Sequence, residues 1–266
     1  MTDFAEAIAA LREKKPLIHC ITNYVTAGDT ANMLLAAGAS PIMADDPTET
    51  AEISAYADAL VLNMGTLSES RLSAMLKAGA AANRRGIPVV LDPVGVHLSD
   101  FRGEAVVKIL SEVKIAVIRG NLSEMLNMGG VSVRSHGVDS ADDEHNRGLD
   151  LSAAADTAQR YCCVCAVTGA EDIITDGQRA VRLLNGTSSL KRVTGAGDMT
   201  SALIAAFSTV CAPFSAAVFG TAFMGICGEF SEYTPPCRYM GSFRANLFDN
   251  AGRDGTEFAE RIKIEE

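Results

Sequence analysis

The chain of 266 residues has no tryptophan, and aromatic residues make up only 6% of it. Platforms that stack the bases of single-stranded nucleic acid need aromatic faces, so this composition speaks against them. Runs rich in Lys and Arg are also missing, and the net charge is −10. The electrostatic footprint of a nucleic-acid or anionic-membrane surface is therefore absent. A phosphate ligand stays open, because backbone N–H groups and one or two cations can hold it locally. Seven cysteines occur without CxxC spacing or a nearby His cluster. Cys162, Cys163 and Cys165 lie in one apolar run, Cys20, Cys211 and Cys227 in others, and Cys237 follows two prolines. They read as small buried hydrophobes of a reducing compartment, and the odd count speaks against a full disulfide set. The opening residues Met1-Thr2-Asp3-Phe4-Ala5-Glu6 lack the basic start of a signal peptide. Acidic residues are expected to interrupt every apolar run before the roughly 18–20 residues of a membrane span. A cytoplasmic protein without nucleic-acid or membrane partners is the expectation.

What is present is a large supply of core. Hydrophobic residues make up 48% of the chain. Short apolar runs alternate with amphipathic stretches. Residues 17–22, 40–43, 59–63, 87–92 and 115–119 read as strands, with helices over 27–37 and about 68–84. A short helix follows Asn121. A polar segment, 129–146, reads as a surface loop in which Asp142-Asp143-Glu144 is solvated. A helix over about 152–162 leads into a strand at 163–168, then strands at 172–175 and 180–184 around the turn Asp176-Gly177. Helices over about 196–210 and 215–233 and a charged C-terminal helix close the chain. Strands that are apolar on both faces and followed by helices predict a mostly parallel sheet covered on both sides, in an α/β three-layer sandwich. Neither a repeat nor a composition shift marks a linker, so residues 1–266 read as one domain.

Ligands of such folds bind at the carboxyl ends of the parallel strands. Polar residues recur there: Thr22-Asn23, Asp45-Asp46, Asn63-Met64-Gly65-Thr66, Asp92-Pro93-Val94-Gly95, Arg119-Gly120-Asn121 and Thr168-Gly169. One polar strand end is noise, while six on one edge predict a single site.

The densest chemical signal is Val193-Thr194-Gly195-Ala196-Gly197-Asp198, which opens a helix of small apolar residues. Free N–H groups and the positive end of the macrodipole make such a helix start an anion hole, formed here by Gly195, Ala196 and Gly197. A carboxylate at its mouth suits removal of a proton from a hydroxyl while the hole holds a phosphoryl group. That reading is a small-molecule kinase with Asp198 as general base. The plain alternative is a glycine-rich loop capped by Asp198. Glu124, three residues after Asn121, is either a capping-box partner or an acid that holds Mg²⁺ on ATP through water. Asp92 is either a turn former before Pro93 or a second acid near that metal. Arg119 ends an apolar strand and needs a partner, either a phosphate or a neighbouring acid. His19 and His97 lack ligand spacing and receive no role. Met43, at a strand end, is either core or contact.

The segments Ile21-Thr22-Asn23-Tyr24-Val25-Thr26, Ala37-Gly38-Ala39-Ser40-Pro41-Ile42-Met43-Ala44, Leu62-Asn63-Met64-Gly65-Thr66-Leu67, Leu91-Asp92-Pro93-Val94-Gly95-Val96, Ile118-Arg119-Gly120-Asn121-Leu122-Ser123-Glu124 and Ala166-Val167-Thr168-Gly169 precede that motif in order. Together they resemble the hydroxyethylthiazole kinases, thiamine-salvage enzymes of the ribokinase-like superfamily. The resemblance covers about residues 15–230. It implies a ribokinase-like fold and transfer of the ATP γ-phosphate to the primary alcohol of 4-methyl-5-(2-hydroxyethyl)thiazole. It further implies Mg²⁺, with Asp92 and Glu124 near the metal and Arg119 and Thr168 on ATP. Met43, Gly195 and Asn23 would line the thiazole pocket, and a homotrimer would form. Many thiazole kinases carry Cys where Asp198 stands; the Gly-Ala-Gly-Asp form resembles the wider superfamily. The segments His97-Leu98-Ser99-Asp100 and Ser135-His136-Gly137-Val138-Asp139-Ser140 are less typical. Two neighbouring activities share these features, a kinase of another alcohol such as hydroxymethylpyrimidine and an ATP/ADP-dependent hydrate dehydratase. A nucleotide-binding regulator without turnover is the reading outside enzymes.

Overall fold

The computed structural model describes residues 3–128, 143–237 and 239–265. Among the described residues, nine strands form one sheet: β1 Leu17–Ile21, β2 Ser40–Ile42, β3 Ala59–Asn63, β4 Val89–Asp92, β5 Val117–Gly120, β6 Val164–Val167, β7 Asp172–Thr175, β8 Ala180–Leu183 and β9 Ile264–Glu265. Their spatial order is β2-β1-β3-β4-β5-β6-β7-β8-β9. The first six run parallel, and β7, β8 and β9 extend the sheet antiparallel. The mostly parallel expectation therefore holds, with an antiparallel edge.

Eleven helices are described: α1 Phe4–Lys14, α2 Ala27–Ala37, α3 Thr50–Tyr56, α4 Glu69–Arg85, α5 Asp100–Glu112, α6 Leu122–Met128, α7 Asp143–Tyr161, α8 Ala196–Phe207, α9 Pro213–Tyr233, α10 Met240–Ala251 and α11 Gly255–Ala259. Strand side chains alternate between two cores, as a pleat with period two requires. Val61, Val90 and Val117 join α1, α2, α8, α9 and α10 on one face. Leu60, Leu62, Leu91 and Ile118 join α4, α5, α6 and α7 on the other. The result is the three-layer sandwich. The few aromatics gather on the first face, where Phe4 stacks on Phe219 at 4.8 Å and Phe223 on Phe258 at 4.3 Å. These contacts tie α1 and α11 to α9, each worth about 0.5–1.5 kcal/mol beyond buried area.

Three expectations change. Helix α7 starts at Asp143, nine residues before 152, so the acidic pair 143–144 opens a helix rather than ending a loop. Asn146-Arg147-Gly148 carries no apolar stripe, which hides the helical period. The rest of the expected loop, 129–142 with its segment 135–140, lies outside the described residues. The chain closes not with one charged helix but with α10, α11 and the short strand β9 on β8. Finally, α9 is long and apolar enough to cross a membrane by composition, because its acids come only near its end. In the fold 89% of its apolar window is buried, so it is the core helix of the sandwich.

Candidate active site

The carboxyl ends of the six parallel strands share one edge, and the start of α8 sits over them. Asp198, in the first turn of α8, is the centre of the arrangement. Its Oδ2 accepts from Asn23 Nδ2 at 2.8 Å and from the Thr26 hydroxyl. Its Oδ1 accepts from Asn63 Nδ2 at 2.9 Å. Asn23 follows β1, Thr26 precedes α2 and Asn63 ends β3, so three separate elements converge on one carboxylate. Asn23 is thereby engaged with the acid, Asn63 and its own turn.

The helix start is built for close approach. Gly195 is the N-cap residue with φ +86°, and a Cβ there would lie 2.6 Å from Thr26 Cγ2. Only glycine takes that conformation against that neighbour without strain. No side chain caps α8 at its start. Among the three expected anion-hole residues, Ala196 already donates its N–H to Val193 O, over a long 3.3 Å.

Beside this lies the ionic part of the site. Asp92 is completely buried at the end of β4, paired in register with Asn63. Burial pushes its carboxyl up to about 7, against the opposing pull of Arg119. The charges of Glu124 and Asp198 raise it further, while Ser201 lowers it by donating to Oδ2 at 2.6 Å. Arg119 Nη1 stands 3.5 Å from Asp92 Oδ2, and its Nη2 donates to the Thr168 hydroxyl. Within this ionic pair, Asp92 Oδ1 and Arg119 Nε are buried without a partner among the described residues. Glu124 is differently placed. Its Oε1 accepts from Gly95 N–H at 3.0 Å and its Oε2 from Asn121 N–H at 2.8 Å, while Asn121 Oδ1 accepts from Glu124 N–H. This is the capping box at the head of α6, and it also ties down the loop after β4. Clusters of three or more metal-ligating side chains do not occur among the described residues.

A cavity of about 490 Å³ opens next to these groups. Arg119, Thr168, Gly195 and Gly197 line one part, and Leu190 and Met224 lend it apolar wall. Asp172, at the start of β7, also lines it. Burial raises that carboxyl to about 7, opposed by Gly169 N–H and by Arg119. A larger cavity, about 880 Å³, lies at the opposite edge against Pro88, Ile115 and Cys163 and touches none of the expected site residues. Met43 follows β2, half-buried and packed against the core that includes α8. His19 lies apart from these groups, inside β1. Thr26, Asn63, Ser201 and Asp172 join the site without having been singled out by sequence. Asn63 stood in a polar strand-end segment and Thr26 only in a segment that carried the resemblance, whereas nothing in sequence marked Asp172.

The match to known proteins extends over most of the chain. The model of the hydroxyethylthiazole kinase family matches residues 8–252. The chain belongs to the hydroxyethylthiazole kinase family. A hydroxyethylthiazole kinase of Ruminiclostridium cellulolyticum is 44% identical over 97% of this chain and 96% of its own length. That of Clostridium beijerinckii is 45% identical over 96% and 94%. The solved structure of the hydroxyethylthiazole kinase from Pyrococcus horikoshii superposes with a TM-score of 0.89 at 36% identity, covering 98% of each chain. More distant kin share the fold alone. A ribokinase-like protein of Enterococcus faecalis reaches a TM-score of 0.60 at 9% identity. An ADP/ATP-dependent NAD(P)H-hydrate dehydratase of Bacillus subtilis, co-crystallised with ATP and Mg²⁺, reaches 0.60 at 13%. The chain thus carries the three-layer sandwich anticipated from the strand pattern, in the ribokinase-like form that the resemblance implied.

Proposed function

We propose that this protein phosphorylates the primary alcohol of 4-methyl-5-(2-hydroxyethyl)thiazole with ATP, the reaction of thiazole salvage toward thiamine. Family membership supports the substrate. The observation that carries the chemistry is the Asp198 carboxylate at the head of α8, held on three sides by Asn23, Thr26 and Asn63.

In this mechanism the thiazole sits by Met43 and Gly195 with its hydroxyl at Asp198, and Asn23 serves that end of the pocket by holding the acid. Asp198 takes the hydroxyl proton as the alcohol oxygen bonds to the γ-phosphorus and the bond to the β-phosphate oxygen breaks, releasing ADP. N–H groups of Gly195, Ala196 and Gly197 receive charge on the transferring group, with Ala196 giving up its long bond to Val193. Arg119 leaves its loose 3.5 Å pairing with Asp92 to meet the phosphates, and Thr168 orients the guanidinium. Positioning and electrostatics of this kind supply most of the acceleration in phosphoryl transfer.

The donor set fits Mg²⁺. Asp92 has one oxygen without a partner, and magnesium takes one or two carboxylates while keeping waters. Asp92 would hold it, with Glu124 acting through water because both its oxygens serve backbone N–H groups. Bound there with ATP, the metal neutralises phosphate charge. We further propose one kinase domain over residues 1–266, cytoplasmic and assembled as a homotrimer, without nucleic-acid or membrane partners. The exposed Tyr24 and Val25, immediately after Asn23, support a subunit contact near the site.

The test is incubation with Mg·ATP and, separately, hydroxyethylthiazole, hydroxymethylpyrimidine and ribose, followed by mass spectrometry. A thiazole phosphate alone is expected. Phosphate on another alcohol would reassign the substrate, and ADP without any phosphorylated alcohol would point to a hydrate dehydratase.

A further inference from the structure

The amides around Asp198 have only one orientation that satisfies every group. Asn63 Oδ1 accepts from Gly65 N–H at 2.9 Å, which forces the Nδ2 of Asn63 toward Asp198. Asn23 Oδ1 accepts from Val25 N–H and Thr26 N–H, both at 3.1 Å. Its Nδ2 is thereby turned inward, and its two hydrogens go to Asp198 Oδ2 and to Asn63 Oδ1, the latter at 3.2 Å. The single hydroxyl proton of Thr26 goes to the charged oxygen rather than to Asn23 Oδ1, which has two donors already. Backbone N–H groups thus fix the direction of both amides, and with them the donors that the acid meets.

The two oxygens of Asp198 are then unequal. Oδ2 receives two donors, from Asn23 and Thr26, and its lone pairs are filled. Oδ1 receives one, from Asn63, and keeps a lone pair. We infer that Asn63 is a positioning residue that selects Asp198 Oδ1 as the atom accepting the substrate proton. The inference rests on the assignment of Asp198 as the base. Asn63 touches no substrate in this account; it acts through the carboxylate. Asp92 on β4 and Arg119 on β5 lie on the side of the ionic pair. Asp29 on α2 is paired with Arg244, and His19 on β1 is bonded to Ala44 and Ser54. Asn63 is thus the neutral donor whose replacement changes the charge seen by Oδ1 with the least change of shape.

The deciding experiment measures kcat and KM for both substrates for Asn63→Asp, Asn63→Ala and Asp198→Asn. Asn63→Asp keeps an acceptor for Gly65 and Asn23, so the fold is retained, as thermal melting will register. It removes the donor and places a second carboxylate against the first. The expected result is a kcat lower by roughly 10²-fold, the range of a mispositioned base. KM for Mg·ATP stays within about twofold, because the change acts on the base and not on nucleotide binding. Asn63→Ala lowers kcat with the same unchanged KM. A folded Asn63→Asp enzyme with the parent's kcat, or one whose loss lies in KM for Mg·ATP, overturns the inference while an inactive Asp198→Asn leaves the base assignment standing. An Asp198→Asn enzyme with the parent's kcat overturns both.

Discussion

The guanidinium of Arg119 lies directly against the backbone of Gly197: a Cβ at 197 would stand 2.3 Å from Nη1 and 2.7 Å from Nη2. Gly197 is in the first turn of α8, so the arginine and the first-turn amides of that helix share one surface. The atoms that a new methyl would meet are the tip of a flexible side chain, which can move away. Gly197→Ala should therefore fold, and a gain in helix propensity of up to about 1 kcal/mol accompanies it. Activity should fall, because the displaced guanidinium no longer faces the phosphates. The expected outcome is kcat/KM for ATP lower by about 10²-fold, a loss of about 2.7 kcal/mol of transition-state binding, with an unchanged or higher Tm. A variant as active as the parent would show that Arg119 does not work from this position.

Asp198→Asn tests the base itself. The amide keeps the shape of the carboxylate but accepts no proton from an alcohol, and its nitrogen faces donors from Asn23, Thr26 or Asn63. kcat should drop by roughly 10²–10⁴-fold, the usual worth of a positioned base. Circular dichroism should be that of the parent. Near-parental turnover in a steady-state assay would remove Asp198 from the proton-transfer step.

The parts of this site that were legible in sequence share a physical origin. Parallel strands buried on both faces read as unbroken apolar runs, so the polar residue that ends each one stands out. Asn23, Asp92, Arg119 and Thr168 could be placed on one edge for that reason. Gly195 to Asp198 were legible because a glycine-rich helix start is a local feature. Thr26 acts by virtue of the turn that brings α2 beneath Gly195, a tertiary relationship without a sequence period. Asp172 arrives from the antiparallel edge, outside the rule of carboxyl ends. Among the elements, α1 was not read from the sequence although it has a buried stripe, Phe4, Ala7, Ile8 and Leu11, at helical spacing. By contrast α3 buries only Thr50 and Ser54, and β9 is two exposed residues, so neither offers an apolar pattern. Glu124 shows the reverse case, where capping and catalytic readings predict the same residue pair and only geometry separates them.

Thr30 carries a hydroxyl that is 1% exposed as a residue and has no hydrogen-bond partner among the described residues. It lies on α2, which packs on α8. A buried donor without a partner costs about 1–3 kcal/mol, whereas valine fills the same volume with a methyl. Helix propensity hardly differs between the two residues. Thr30→Val should stabilise the protein by about 1 kcal/mol and raise Tm by about 2–4 °C. A fall in Tm by differential scanning calorimetry would mean that the hydroxyl is satisfied in solution.

His19 gives the fold a defined response to acid. Its ring is fully buried inside β1, with Nε2 2.7 Å from Ala44 O and Nδ1 2.8 Å from Ser54 Oγ. A carbonyl only accepts, so Nε2 carries the hydrogen, and Nδ1 accepts from the serine in the neutral ring. Burial lowers the ring's pKa below its usual 6.5, and the bond to Ala44 offsets this in part. The sign follows from proton counts. Below the ordinary histidine value the unfolded chain binds a proton that the folded ring refuses. The stability that His19 contributes is complete above pH 6.5 and is lost as pH falls from there through the depressed folded value. Urea midpoints should therefore decline between pH 7 and pH 5 more steeply for the parent than for His19→Gln, which has no titrating ring. Ala44 directly follows Met43, so loosening this contact should also raise KM for the thiazole alcohol over the same interval. Parallel urea curves for parent and variant would show that the ring does not titrate in this window.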